Sequence, residues 1–370
     1  MSTKNIYIGM MSGTSLDGVD AVMARIDEVG AFTTMGAASL PFPPALRAEL
    51  MALQAATANE IEREAIAANG VAELYAACVR QLGADPASVA AIAAHGQTIR
   101  HRPELGFTKQ TINGARLAEL TGIDVVCDFR SRDVAAGGQG APLVPAYHAA
   151  VFGKAGVTRV VVNIGGIGNI SVLHGDGAVT GFDTGPGNVL MDGWIARHQG
   201  KAFDQDGAWA ASATVDGNLL ASLLQEPYFA LSAPKSTGRD LFHMAWLDAV
   251  LASHPGVAPA DVQATLTRLT ADSIAAAIAH SRTAEVDAVY VCGGGAYNGA
   301  LMGDLTAALQ RTLGRTTRVA STEELGVAPN RVEALAFAWL GWRFIKRQSG
   351  NLPAVTGASG ERILGCLYPA

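Results

Sequence analysis

The sequence runs to 370 residues, 49% hydrophobic and only 16% charged, with a formal net charge of -6, a length that fits two domains with sizeable cores. The acidic balance and the lack of a Lys/Arg cluster argue against nucleic acid as a partner, and no CxxC joins the four scattered cysteines (Cys78, Cys127, Cys292, Cys366), so zinc has little support. With no signal-peptide pattern and no uninterrupted apolar stretch of about 18 residues, the expectation is a cytoplasmic protein without a membrane span.

In chain order, apolar runs at 6–11 and 19–26 frame the string GMMSGTSLDGVD at 9–20, the pattern of a strand hairpin around a Gly-rich polar turn. Its hydroxyls (Ser12, Thr14, Ser15), glycines and carboxylates (Asp17, Asp20) suit a backbone that closes on phosphate. They suit an ordinary β-turn equally. Residues 46–82 read as helix, interrupted at Gly70. A strand at 89–94 ends at His95-Gly96-Gln97-Thr98. A helix over 113–120 and a strand at 125–127 lead to Asp128-Phe129-Arg130, with Asp133 close behind. The Gly/Ala-rich crossing 135–141 is the candidate domain boundary. A second strand, Gly-rich turn, strand unit follows at 157–163, 165–169 and 170–173, an internal echo of the first.

A strand at 179–182 runs into Asp183-Thr184-Gly185-Pro186-Gly187-Asn188, and a helix follows over 189–198. Beyond the polar loops 201–206 and 233–240 (APKSTGRD), Asp261 is expected to cap a long helix reaching to about 281. A strand at 286–292 meets Gly293-Gly294-Gly295-Ala296-Tyr297-Asn298. A helix at 301–313, a strand at 317–320, a helix started by Asn330 and a returning tail complete the chain. Strands alternating with helices make it α/β.

Polar groups collect where these strands end, and open α/β sheets bind ligands beyond the carboxyl ends of their strands; with two Gly-rich hairpins this favours a large polar cleft. GxxxxGK[ST] and GxSxG are absent, and both near-matches to GxGxxG lack the third glycine, having Asn298 and Ser171 there. A nicotinamide-dependent oxidoreductase is therefore the runner-up. Asp183, between a strand and a Gly-Pro-Gly turn, is the candidate base for phosphoryl transfer, or a carboxylate that ties down its own turn. Glu333, three residues after Asn330, fits a capping box as well as a ligand contact. Arg130 could fork onto a ligand carboxylate or pair with Asp128 or Asp133. His95 reads as a satisfied core histidine.

Taken together and in order, GMMSGTSLDGVD, AHGQT, DFRSRD, NIGGIGN, GFDTGPGN, CGGGAYN and APNRVEALAFAWL resemble the anhydro-N-acetylmuramic acid kinases over nearly the whole chain. The resemblance implies the actin/hexokinase/Hsp70-like ATPase fold: two duplicated α/β, ribonuclease H-like domains, expected at 1–130 plus 347–370 and at 131–346, closing on ATP and sugar in an interdomain cleft. It implies a first phosphate loop of Gly13, Thr14, Ser15, Leu16, Asp17, Gly18, Val19 and Asp20. Asn163, Gly165, Gly166, Gly168 and Asn169 match the second, and Gly293, Gly294, Gly295 and Asn298 the adenosine motif. The wider superfamily carries an acidic residue in the second loop; Asn163 and Asn169 stand here instead, which moves the holding of Mg²⁺ to Asp17 or Asp20, through water. The implied reaction adds water at C1 of 1,6-anhydro-N-acetylmuramic acid, opens the bridge and phosphorylates O6 from ATP, giving N-acetylmuramic acid 6-phosphate in cell-wall (peptidoglycan) recycling. By the same resemblance Asp183 activates the water, Gln97, Thr98, Arg130 and Glu333 bind the sugar, and the protein is a homodimer. A non-enzymatic actin-like ATPase, chaperone or filament, is the third alternative.

Overall fold

The computed structural model describes residues 4–13, 16–233, 235–281 and 286–370. The chain divides into two compact units, Met1–Val151 with Arg331–Ala370, and Phe152–Asn330.

The first unit contains β1 (Ile6–Met11), β2 (Gly18–Ile26), β3 (Phe32–Pro41), α1 (Pro44–Ala52), α2 (Glu60–Gln81), β4 (Val89–Ala94), β5 (Gln97–Arg102), β6 (Phe107–Thr111), α3 (Gly114–Thr121), β7 (Val125–Cys127), α4 (Ser131–Ala135) and nearly all of α5 (Val144–Phe152). Its sheet has the order β3-β2-β1-β4-β7, extended by the chain's last strand. β1, β2 and β3 are antiparallel; β4 runs parallel to β1 and β7 parallel to β4. Side chains alternate between the faces of a strand, and β1 uses both. Ile8 and Met10 join Val71, Tyr75 and Val79 of α2 in one core. Gly9 faces the other way, where a Cβ would run into the Ala334 carbonyl and the Ala338 nitrogen of a later helix.

The second unit holds β8 (Arg159–Ile164), β9 (Ile167–Leu173), β10 (Val179–Pro186), α6 (Val189–Gln199), α7 (Ala208–Ala211), α8 (Gly217–Leu223), α9 (Met244–Leu251), α10 (Pro259–His280), β11 (Ala288–Cys292), α11 (Gly299–Leu313) and β12 (Arg318–Ser321). Its sheet order is β10-β9-β8-β11-β12, three antiparallel strands followed by two parallel ones. With the separate β5–β6 hairpin and the final strand set aside and strands numbered within each sheet, both orders are 3-2-1-4-5 with the same directions. The internal echo is therefore a duplication of the whole sheet, and the chain carries the ribonuclease H-like fold of actin-like ATPases twice. Valines and isoleucines of β8, β9 and β11 form the second core with Leu266, Leu269 and Ile274 of α10.

The chain then returns to the first unit as α12 (Val332–Ile345), α13 (Pro353–Thr356) and β13 (Cys366–Tyr368). α12 packs on β1, β2 and β4 and buries ten of its fourteen residues. β13 pairs antiparallel with β7.

Four local expectations change. The helix expected over 46–82 is two helices broken at 53–59, and α2 runs straight through Gly70; the missing Cβ there leaves room for the Leu46 methyls of α1. Asp261 does not cap α10, which opens at Pro259 after Ala258, as Pro favours the first helical position; its carboxylate accepts from Thr214 N instead. Residues 135–141 are not the boundary. The units part at 151/152 and 330/331 rather than at 130/131 and 346/347, because Asp133 bonds to Asn351 and Thr356, and all of α12 lies on the first sheet. Finally, no capping box forms at 330–333: Arg331 occupies the cap position of α12 without a side-chain bond, and Asn330 Oδ1 accepts from Tyr297 OH.

Candidate active site

The first hairpin is held from behind. Ser12 is buried, its hydroxyl bonded to the Gly96 carbonyl and to Tyr75 OH. The Gly13 carbonyl accepts from Leu16 N and from Gln97 Nε2 at 3.1 Å; the Leu16 carbonyl accepts from Arg47 Nε, and the Asp17 carbonyl from Phe42 N. In a trans peptide the next N–H points opposite the carbonyl, so the Asp17 N–H points away from Arg47. Leu16 adopts φ +57° with its side chain fully buried, a left-handed conformation that costs a non-glycine residue about 1–3 kcal/mol. The buried side chains of Leu16 and Val19 enter the core, which leaves these two residues only their backbone for a ligand. Thr14 and Ser15 lie outside the described residues. Asp17 and Asp20 are exposed. Although Asp20 reaches solvent, desolvation raises its carboxyl above the usual range, opposed by a hydrogen bond from Ser39 and aided by the charge of Asp17.

The second hairpin repeats the design. The Gly165 carbonyl accepts from Asn188 N, and the Gly166 carbonyl from Gly187 N and Val189 N. The N–H groups of Gly166 and Ile167 consequently point away from the start of α6. Thr270 of α10 secures the same corner, its hydroxyl shared between the Pro186 and Gly187 carbonyls.

Strand register then assembles what the sequence keeps apart. Cys292 lies opposite Asn163, Asn163 opposite Asn169, and Asn169 opposite Asp183. Directly opposed residues share a face, so the two asparagines and Asp183 form one polar row across three strands. In the first unit Asp20 stands third in β2, as Asn169 stands third in β9, and lies opposite Ser39.

Asp183 is half-buried, and residues some fifty positions downstream of its own Gly-Pro-Gly turn bond to it. Oδ2 accepts from Thr237 N at 3.1 Å, its N–H donates to the Lys235 carbonyl, and its carbonyl accepts from Tyr228 OH at 2.7 Å. The Lys235 ammonium donates to the Tyr228 and Phe229 carbonyls and lies 4.6 Å over the Tyr228 ring. Burial lowers its pKa, whereas burial and the charge of Asp183 raise that of Tyr228. Residues 235–237 thus fold onto Asp183, a link for which the sequence carries no spacing signal.

The expected sugar contacts are spread more widely. Gln97 is fully buried and supports the hairpin through Gly13 instead of facing outward. Thr98 is half-buried, its hydroxyl accepting from Gln110 Nε2. Arg130 donates from Nε to His95 Nε2 at 3.0 Å and from Nη1 to the Gly140 carbonyl at 2.7 Å. His95 is the buried histidine expected; burial first, and then Arg130, hold its pKa well below 6.5. Glu333 sits half-buried in the first turn of α12. In the expected adenosine motif, Gly293 has φ +80°, and a Cβ would lie 2.6 Å from the Ile164 carbonyl oxygen, so only glycine fits. Asn298 caps α11, its side-chain oxygen accepting from Leu301 N.

A sequence model of the family described as Anhydro-N-acetylmuramic acid kinase matches residues 5–370. The chain belongs to the anhydro-N-acetylmuramic acid kinase family. The protein of that name from Burkholderia orbicola (strain AU 1054) is 56% identical over 369 residues, covering 98% of this chain and 96% of its own. That of Cupriavidus pinatubonensis is 56% identical over 375 residues, covering 98% of each. Among solved structures, the activator of the 2-hydroxyisocaproyl-CoA dehydratase from Clostridium difficile with bound ADPNP aligns at TM-score 0.47 and 10% identity, covering 92% of this chain and 96% of that one.

As a member of this kinase family the protein is an enzyme and a transferase, so the oxidoreductase and the non-enzymatic readings fall away. Among the described residues no helix is long and apolar enough to cross a membrane, and no group of three His, Cys, Asp or Glu residues gathers for a metal. Independently of that, Asp20 is exposed and Asp17 lies near enough for its charge to help raise the Asp20 carboxyl, the kind of donor pair that Mg²⁺ takes together with substrate phosphates.

Proposed function

We propose that the protein uses ATP to open the anhydro bridge of 1,6-anhydro-N-acetylmuramic acid and to phosphorylate the freed O6, giving N-acetylmuramic acid 6-phosphate and ADP for peptidoglycan recycling. The observation that carries this reading is the Asp183 carboxylate, within β10 in the Asn163–Asn169–Asp183 row and bonded by Thr237 N–H. Water attacks C1 while Asp183 takes its proton. The C1–O6 bond breaks with its electron pair going to O6, and O6 attacks the γ-phosphorus as the bond to the β-bridging oxygen breaks and ADP leaves. Ring opening thereby generates the nucleophile, and the protein's share is positioning and charge stabilisation.

In this reading the hairpin residues 13–20 and Asn163, Gly165, Gly166, Gly168 and Asn169 serve the nucleotide phosphates through backbone N–H groups, and Gly293, Gly294 and Gly295 the adenosine. Asp20 and Asp17 would hold Mg²⁺ through water, and the ion would supply neutralisation of phosphate charge. Arg130 takes the lactyl carboxylate through its planar fork, with Thr98 and Glu333 on the sugar and its amide. The test is ATP consumption with and without the anhydro sugar, run in ¹⁸O-labelled water. Sugar-dependent consumption with label at C1 and phosphate on O6 is expected. Equal consumption without sugar, or label elsewhere, would overturn the proposal.

A further inference from the structure

We infer that Asp133 is a positioning residue for Arg130, acting through the Gly140 peptide and anchored by the chain's C-terminal segment. Asp133 is fully buried, and three neutral donors converge on its carboxylate. Asn351 Nδ2 at 2.7 Å and the Thr356 hydroxyl at 2.8 Å reach Oδ1, and Gly140 N–H at 2.8 Å reaches Oδ2. Such charge-assisted bonds are roughly twice as strong as neutral ones, which makes the carboxylate the fixed point of the cluster. Gly140 passes the constraint on: its φ of +66° lets its N–H face Asp133 while its carbonyl accepts from Arg130 Nη1 at 2.7 Å, and a Cβ there would press on Val134. His95 Nε2 fixes the guanidinium at a second point. With both Nε and Nη1 held, the plane of the fork is set before a ligand arrives, and preorganisation of this kind lowers the cost of binding.

The loop is built around this relay. Gly138 N donates to the Asp133 carbonyl and the Gln139 N–H to the Thr356 carbonyl, while Asn351 Oδ1 accepts from Arg362 N. Residues 351–362, more than two hundred positions from Arg130 in sequence, thereby decide how Arg130 is presented. This inference rests on the proposed role of Arg130 toward the sugar carboxylate.

The test uses the full-length enzyme with Asp133→Asn, Arg130→Ala, the double variant, and Thr356→Val, which removes one bond to Asp133 at nearly constant volume. Losing a hydrogen bond to a charged group is expected to raise the sugar KM about tenfold in Asp133→Asn, with the ATP KM within about twofold. Thr356→Val shifts the sugar KM in the same direction by less, and serves alone if Asp133→Asn does not fold. In the Arg130→Ala background Asp133→Asn adds nothing further to the sugar KM, a coupling that a general loss of structure would not produce. An unchanged sugar KM in both single positioning variants, parallel rises for both substrates, or additive effects would overturn the inference. If Arg130→Ala itself leaves the sugar KM unchanged, the sugar-site role of Arg130 falls first and the positioning role with it.

Discussion

Asp183 draws its orientation from a segment some fifty residues downstream. Its carboxylate accepts from Thr237 N, so replacing it with Asn keeps an acceptor in place while removing basicity. Asp183→Asn is expected to lower turnover on the order of 10²–10⁴-fold, the usual worth of a general base, with both KM values changed little; near-normal steady-state turnover would remove it from the chemistry. At the same scale the sequence announced the candidates but not their company. Asp183, Asn163 and Asn169 each stand out beside glycines, because turn chemistry is local. That they form one row depends on strand register, and strand register depends on cores on both sides of the sheet. Gln97 shows the converse: the string AHGQT marks it, yet its amide turns inward to Gly13.

Among the elements, the hairpins were legible because alternating apolar runs around a Gly-rich turn admit few other structures. The helix breaks were less so. Gly70 looks like an interruption by propensity, and tertiary packing overrides it, since an α1 leucine fills the space its side chain would take. Gly9 makes the point more sharply. Nothing in β1 marks it out, but the α12 backbone lies directly against it, and a backbone cannot rotate away as a side chain can. Gly9→Ala is therefore expected to destabilise the protein by about 3 kcal/mol or more, at the upper end of overpacking costs. Urea denaturation checks it, and a loss below about 0.5 kcal/mol would show that α12 can shift outward.

For the molecule as a whole, the two units differ in how the chain closes them. Residues 152–330 are continuous and contain a complete five-stranded sheet with its helices. Residues 1–151 lack α12 and β13, which come from the chain's end. The fragment 152–330 is accordingly expected to unfold cooperatively by circular dichroism, whereas 1–151 alone, with one face of its sheet uncovered, is expected not to. A cooperative transition in the isolated 1–151 fragment would contradict this.

Two buried histidines contribute to the pH dependence of the whole. Burial holds His148 down at about 3, and His95 lies well below 6.5. Because the folded values lie below the unfolded value of about 6.5, the unfolded chain takes up protons first as the pH falls. Their contribution is complete above pH 6.5 and declines by roughly 1.4 kcal/mol per pH unit per histidine below it, down to the folded pKa. Denaturant midpoints at pH 7.5 and pH 5.0 should show that loss, and His148→Phe should flatten it.

The sequence by itself determined the α/β class, the two hairpins, the polar strand ends and the family strings, since each arises from residues near one another along the chain. Only the tertiary structure decided where the units part, which residues stand in the Asp183 row, and that the C-terminal segment holds Asp133 and through it Arg130. Those are long-range pairings, made wherever packing a common core leaves two distant segments side by side, and no local pattern in either segment records its partner.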